Sequence, residues 1–239
     1  MTLWSGNQIS TFWAIHNTLD DRIQSRLLLI QNLWIGDTPD SEGNLTYGST
    51  FWPLPIITRI LWSCTRLRSL YLANLDQNDW IRLEKAIPAS VENMAMGAVH
   101  GPLHIKDLTR KPRIRRFTSA QSFMRDDEVR DVILSPHMKK FRVLFSAQRA
   151  SQMQTLEQVG CISESKTIEE IEFLFFGPTP SPSFLQELRM RLRSITTDRR
   201  VKIQPSPIAD WMELLYSEFL GETDTYRGEQ SRMLVAFSY

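Results

Sequence analysis

The chain has 239 residues, of which 42% are hydrophobic and 23% charged, an ordinary soluble composition with room for one large domain or two small ones. Twenty-eight Lys and Arg against 27 Asp and Glu leave a net charge of +1, which excludes general attraction to nucleic acid or membrane surfaces. Any electrostatic recognition must therefore rest on local patches.

Residues 1–26 carry Trp4, Phe12, Trp13 and Ile15 and then a polar run from Asn17 to Arg26. They read as an N-terminal cap segment, with a short helix leading into the first strand. The start, MTLWSGNQIS, has no basic segment followed by an apolar run, and no apolar stretch nears the ~20 residues of a membrane span. With Cys64 and Cys161 as two lone thiols, best read as small buried hydrophobes, the expectation is an intracellular protein, cytoplasmic or nuclear.

From residue 27 a frame of the form apolar-x-x-apolar-x-apolar recurs. It is seen at Ile30-Leu33-Ile35, Leu67-Leu70-Leu72, Val91-Met94-Met96, Ile114-Phe117-Ser119, Met138-Phe141-Val143 and Ile168-Ile171-Phe173. A degraded copy has Asp198 in its first slot and ends in Val201-Ile203. Self-similarity at steps of 23 to 37 residues is the signature of stacked repeats. Between the frames lie helical stretches: one from Pro55, one after Asp76 to Asp79, one opening at Asp126-Asp127-Glu128, one over 151–159, and FLQELRMRLRSI capped by Ser181 or Ser183. Pro88, Pro112 and Pro136 punctuate the approach to three frames.

Strands alternating with helices over short links predict an α/β fold. The expected architecture is a right-handed solenoid over 27–205, with one parallel sheet of about seven strands on its concave side and helices on its convex side. After it, 206–220 reads as a capping helix on the last strand, through Trp211, Leu214 and Phe219, and 221–239 as a loose tail.

The x positions of the frames should line the concave face. Trp34 and Tyr71 hold the central x slot of the first two strands, either as anchors in a groove or covered by residues 1–15 or 37–50. Reading across the last three strands gives basic-acidic-basic rows, Lys140-Glu170-Arg200 and Arg142-Glu172-Lys202, expected to form cross-strand ion pairs. These eight residues are the candidate partner-binding set.

The frame resembles the leucine-rich repeat, L-x-x-L-x-L-x-x-N or C, over roughly residues 27–220, with Met, Phe and Val replacing Leu in several units. LWIG, FWPLP-x-x-T-x-IL-x-x-C-x-x-LRSL, HGPL and FMRDDEVRDV are similar to the repeat half of basidiomycete (mushroom-type) fungal F-box-like proteins. That resemblance implies a substrate-binding role in a ubiquitin ligase whose adaptor is held by an F-box. No L-P-x-E segment precedes the first frame, so the adaptor-docking half is expected from other sequence.

No catalytic constellation emerges. His100 and His104 are four apart, but Gly101-Pro102 breaks the helix that would bring them to one metal, so turn residues are the better reading. Asp126, Asp127, Glu128 and Asp131 read as helix-start acids. Neither G-x-S-x-G nor a phosphate loop is present. Thr179-Pro180 and Ser181-Pro182 form a loop open to a proline-directed kinase, more simply a helix-capping turn. The expectation is a non-catalytic protein-interaction module without cofactor, metal, nucleic-acid or membrane partner, the alternative being a degenerate structural remnant with no selected partner.

Overall fold

Each apolar frame becomes a strand, because its second and third apolar residues sit two apart and so share one face of an extended chain. The computed structural model describes residues 1–17, 25–40, 43–146, 155–177, 181–206 and 208–236, with side chains as far as 223. The strands are β1 (Thr2–Leu3), β2 (Asn32–Ile35), β3 (Ser69–Ala73), β4 (Asn93–Gly97), β5 (Arg116–Ala120), β6 (Lys140–Ser146), β7 (Glu170–Phe176) and β8 (Val201–Pro205). They form one all-parallel sheet in chain order, open at β1 and β8, and the protein is α/β. The last seven coincide with the frames. The two-residue β1 adds an eighth strand, drawn from the segment expected to act only as a cap.

The middle slots lie in unbroken register: Leu33, Leu70, Met94, Phe117, Phe141, Ile171 and Val201. None is more than 8% exposed. This column joins the crossover segments in one continuous core. The helices are α1 (Gly6–His16), α2 (Leu54–Ser63), α3 (Gln77–Leu83), α4 (Asp126–Leu134), α5 (Thr155–Gln158), α6 (Pro182–Ile195) and α7 (Trp211–Ala236).

Their starts follow local chemistry. Ser5, Asp76 and Ser181 accept from first-turn amides of α1, α3 and α6, satisfying donors that the helix leaves free. Glu128 instead accepts from the Arg125 amide at 2.9 Å to open α4. The helix expected before the first strand falls largely on 18–24, outside the described residues, and so does the first part of the one expected over 151–159.

Two glycines are required by close approach. Gly36 has φ +119°, and a Cβ there would stand 2.0 Å from the Ala73 carbonyl oxygen. At Gly97 a Cβ would stand 2.6 Å from the Trp211 ring.

The placement of α7 corrects the expectation of an edge cap. It lies on the sheet face opposite the core just described, where Trp211, Leu214, Leu215 and Phe219 bury Trp34, Tyr71, Ala73, Ala95, Ala120, Leu144, Leu174 and Phe176. That face offered apolar side chains on several strands, far more area than the rim of β8. The helix also runs on to Ala236, where a loose tail was expected. The β8 edge is left with Lys202 and Pro205, both of which discourage edge-to-edge pairing.

Candidate functional site

The second face of the sheet is two surfaces side by side, one closed and one open. On the closed part, Trp34 and Tyr71 do stand together as their shared slot requires, with ring centroids 5.5 Å apart. They are not groove anchors, however, because both are buried. Phe219 packs edge-on against Tyr71 at 5.3 Å, and Tyr216 edge-on against Trp34 at 5.1 Å. The covering segment is α7, and the Trp34 indole donates to the Gly36 and Asp37 carbonyls at 3.2 and 3.0 Å where the 37–50 insertion begins. Burial pushes the Tyr71 phenol up, with the charges of Glu222 and Glu218 adding to it.

The charged rows have the predicted register, Lys140 opposite Glu170 and Arg142 opposite Glu172 opposite Lys202. The pairing within them differs in part. Lys140 bridges Glu170 at 2.8 Å and Glu172 at 3.0 Å, while Lys202 reaches diagonally to Glu170. Hydrogen bonds from Lys140 and Lys202 hold the Glu170 carboxyl below the usual range. Glu172 is buried and also takes the Gln204 amide.

Arg142 turns away from its row. It forms a two-pronged bond with Glu218 of α7, with Nη1 donating to Oε1 at 2.6 Å. Burial works to lower its pKa, and the Glu218 carboxylate more than compensates. Arg116 on β5 stands 3.5 Å from Glu222 one helical turn further on. Glu218 and Glu222 were missed in the sequence, although their i, i+4 spacing beside the apolar stripe of α7 marks one edge of its buried face.

Arg200 leaves the face altogether. It precedes β8, so its backbone is not yet extended, and its guanidinium clamps Asp198 at 2.6 Å. The same group donates to the carbonyls of Ile162, Ser165 and Ile168. Asp198 in an apolar slot demanded a cation, and Arg200 is the nearest one.

Where the helix and the charged strands meet, a cleft of about 300 Å³ opens, lined among others by Tyr71, Asn93, Arg116, Thr118, Lys140 and Glu222. Two buried atoms beside it, Arg142 Nε and Glu222 Oε2, have no hydrogen-bond partner among the described residues. Such atoms carry a desolvation cost within the fold.

The other candidates resolve into structural roles. His100 is buried, its Nδ1 2.7 Å from the Gly101 carbonyl and its Nε2 2.7 Å from the Ser119 hydroxyl. Burial pulls its pKa down to about 4, so the ring is neutral, with Nδ1–H donating and Nε2 accepting. The Ser119 hydroxyl is fully buried, and no substrate atom reaches it. Cys64 and Cys161 are free and buried, and burial pushes the Cys64 thiol up to about 12. Among the described residues no group of three or more His, Cys, Asp or Glu is placed to hold a metal ion, and no helix is long and apolar enough to cross a membrane. Ser181 caps α6, while Thr179-Pro180 lies outside the described residues.

No protein family, curated protein or solved structure matches the chain.

Proposed function

We propose that the protein is a non-catalytic protein–protein interaction module, built as a right-handed leucine-rich-repeat-like solenoid. We further propose that it is the substrate-binding part of an F-box-type ubiquitin-ligase receptor. The observation that carries the reading is the open part of the second face. There Arg116, Lys140 and Glu170 stand in register on consecutive strands, with Lys202 paired to Glu170, beside a cleft of about 300 Å³ that Arg116, Lys140 and Glu222 help to line. A row of two cations and a carboxylate at the ~4.8 Å strand spacing selects partners by electrostatic complementarity. Strands in chain order with their crossover segments on one face support the solenoid reading. The F-box assignment rests on the sequence resemblance alone. A ligase adaptor enters the scheme only through an F-box supplied by other sequence.

The test is affinity capture from the source cells with mass spectrometry, comparing the wild type with Arg116→Glu/Lys202→Glu. Both side chains are more than half exposed, at 62% and 53%, so the variant should keep its fold, which far-UV circular dichroism checks. Glu172 is unsuitable for reversal because it is buried. Substrate proteins should be enriched by the wild type and lost from the variant. Equal recovery by the two folded proteins would remove the groove and favour the remnant reading.

A further inference from the structure

The strand entrances form a second surface, separate from the open face. One residue before each strand, Gln31, Arg68, Glu92, Arg115 and Lys139 are linked in turn by amide-to-carbonyl bonds of 2.6 to 2.8 Å, so the loops below them lie side by side. Beneath this rung is a cleft of about 810 Å³. Its described lining carries four cations, Arg66, Arg68, Lys111 and Arg113, against one carboxylate, Glu92. That excess of three positive charges in one cleft contrasts with +1 for the whole chain.

Glu92 does little to offset it, because Arg115 already stands 3.8 Å from its carboxylate. Arg66, Lys111 and Arg113 are exposed. The Lys111 ammonium donates to the Lys106 carbonyl, a neutral acceptor. Arg66, Lys111 and Arg113 thus bring three exposed cations to one concave surface, which suits an extended anionic guest.

We propose that this strand-entry cleft binds a short acidic peptide segment of a protein partner. Its carboxylates would face Arg66, Lys111 and Arg113. Nucleic acid fits less well. The described lining has no aromatic side chain on which a base could stack. The cations on the approaches to β3 and β5 span only two strand spacings, roughly 10 Å, too short a track for many phosphates. This site is independent of the open-face reading, and either can fail without the other.

The experiment is fluorescence anisotropy on the full chain with a fluorescein-labelled oligoglutamate. An oligoglutamine and an oligouridylate of equal length are the comparison probes. Oligoglutamate should bind best, and its affinity should fall as salt screens the exposed charges. In Arg66→Gln/Lys111→Gln/Arg113→Gln it should weaken by roughly tenfold or more, as expected when three exposed charges are removed together. Far-UV circular dichroism should stay unchanged, since all three residues are exposed, and the single Arg66→Gln and Arg113→Gln variants should each show part of the loss. Undiminished binding by the triple variant, equal binding of oligoglutamine, or tighter binding of oligouridylate would overturn the proposal.

Discussion

In the third apolar slot β5 carries Ser119, where the neighbouring strands carry Met96 and Val143. The missing volume is filled by His100, whose ring sits edge-on to Phe117 at 6.0 Å and accepts from the Ser119 hydroxyl. This makes stability depend on pH with a definite sign. Unfolded, the ring titrates near 6.5; folded, burial lowers it to about 4. Between those values the unfolded chain binds the extra proton, so stability falls as pH falls through the window and loses nothing more from this group below it. Going from about pH 7 to about pH 5 should remove about 2 kcal/mol. His100→Gln should flatten that part of the profile, measured by urea unfolding at the two pH values, and an identical slope in both proteins would contradict the assignment. Ile171, at the centre of the apolar column, is fully buried. Ile171→Ala should cost roughly 2–5 kcal/mol by the same measurement. A cost below about 1 kcal/mol would mean that the site collapses around the smaller side chain.

Among the elements, α7 has the largest influence on how much of the sheet's second face stays open. Its apolar stripe is legible in the sequence, and so is its helical start. Its destination is not, because an amphipathic helix fits any apolar surface of sufficient area and the chain offered two. It took the face carrying Trp34, Tyr71, Leu144, Leu174 and Phe176. Removing everything after Ser206 should bare that face and give aggregated, dye-binding protein. Phe219→Ala, which empties the contact with Trp34 and Tyr71, should cost about 3–5 kcal/mol while leaving the protein monomeric. Size-exclusion chromatography and dye binding check both, and a soluble, monomeric truncation would remove α7 from the account of stability.

At the scale of the whole molecule, one core runs from the β1 edge to β8. Across its back α7 ties β7, through Leu174 and Phe176, to β2, through Trp34. Stacked units that touch only their neighbours can unfold piecemeal. A strap reaching from β2 to β7 should make unfolding cooperative. Tryptophan fluorescence and far-UV circular dichroism should therefore report coincident urea transitions in the full chain. Transitions separated by more than the fitting error would show that the strap does not couple the two ends.

The sequence by itself determined the seven longer strands, their order and their register. The spacing of Leu70 and Leu72, or Ile171 and Phe173, fixes which face of each strand is buried, and short links leave adjacent frames no neighbours but each other. It also determined which charges would lie abreast, since register fixes Lys140 beside Glu170. What those charges bind was decided only by the tertiary structure. Arg142 turned to Glu218, 76 positions away, and Lys202 crossed to Glu170 because long side chains choose among partners that converge in space. The aromatic pair was placed correctly by its slot, yet whether it met solvent or a helix depended on where α7 came to rest. That choice is made by the total apolar area brought together on folding, which no local pattern encodes.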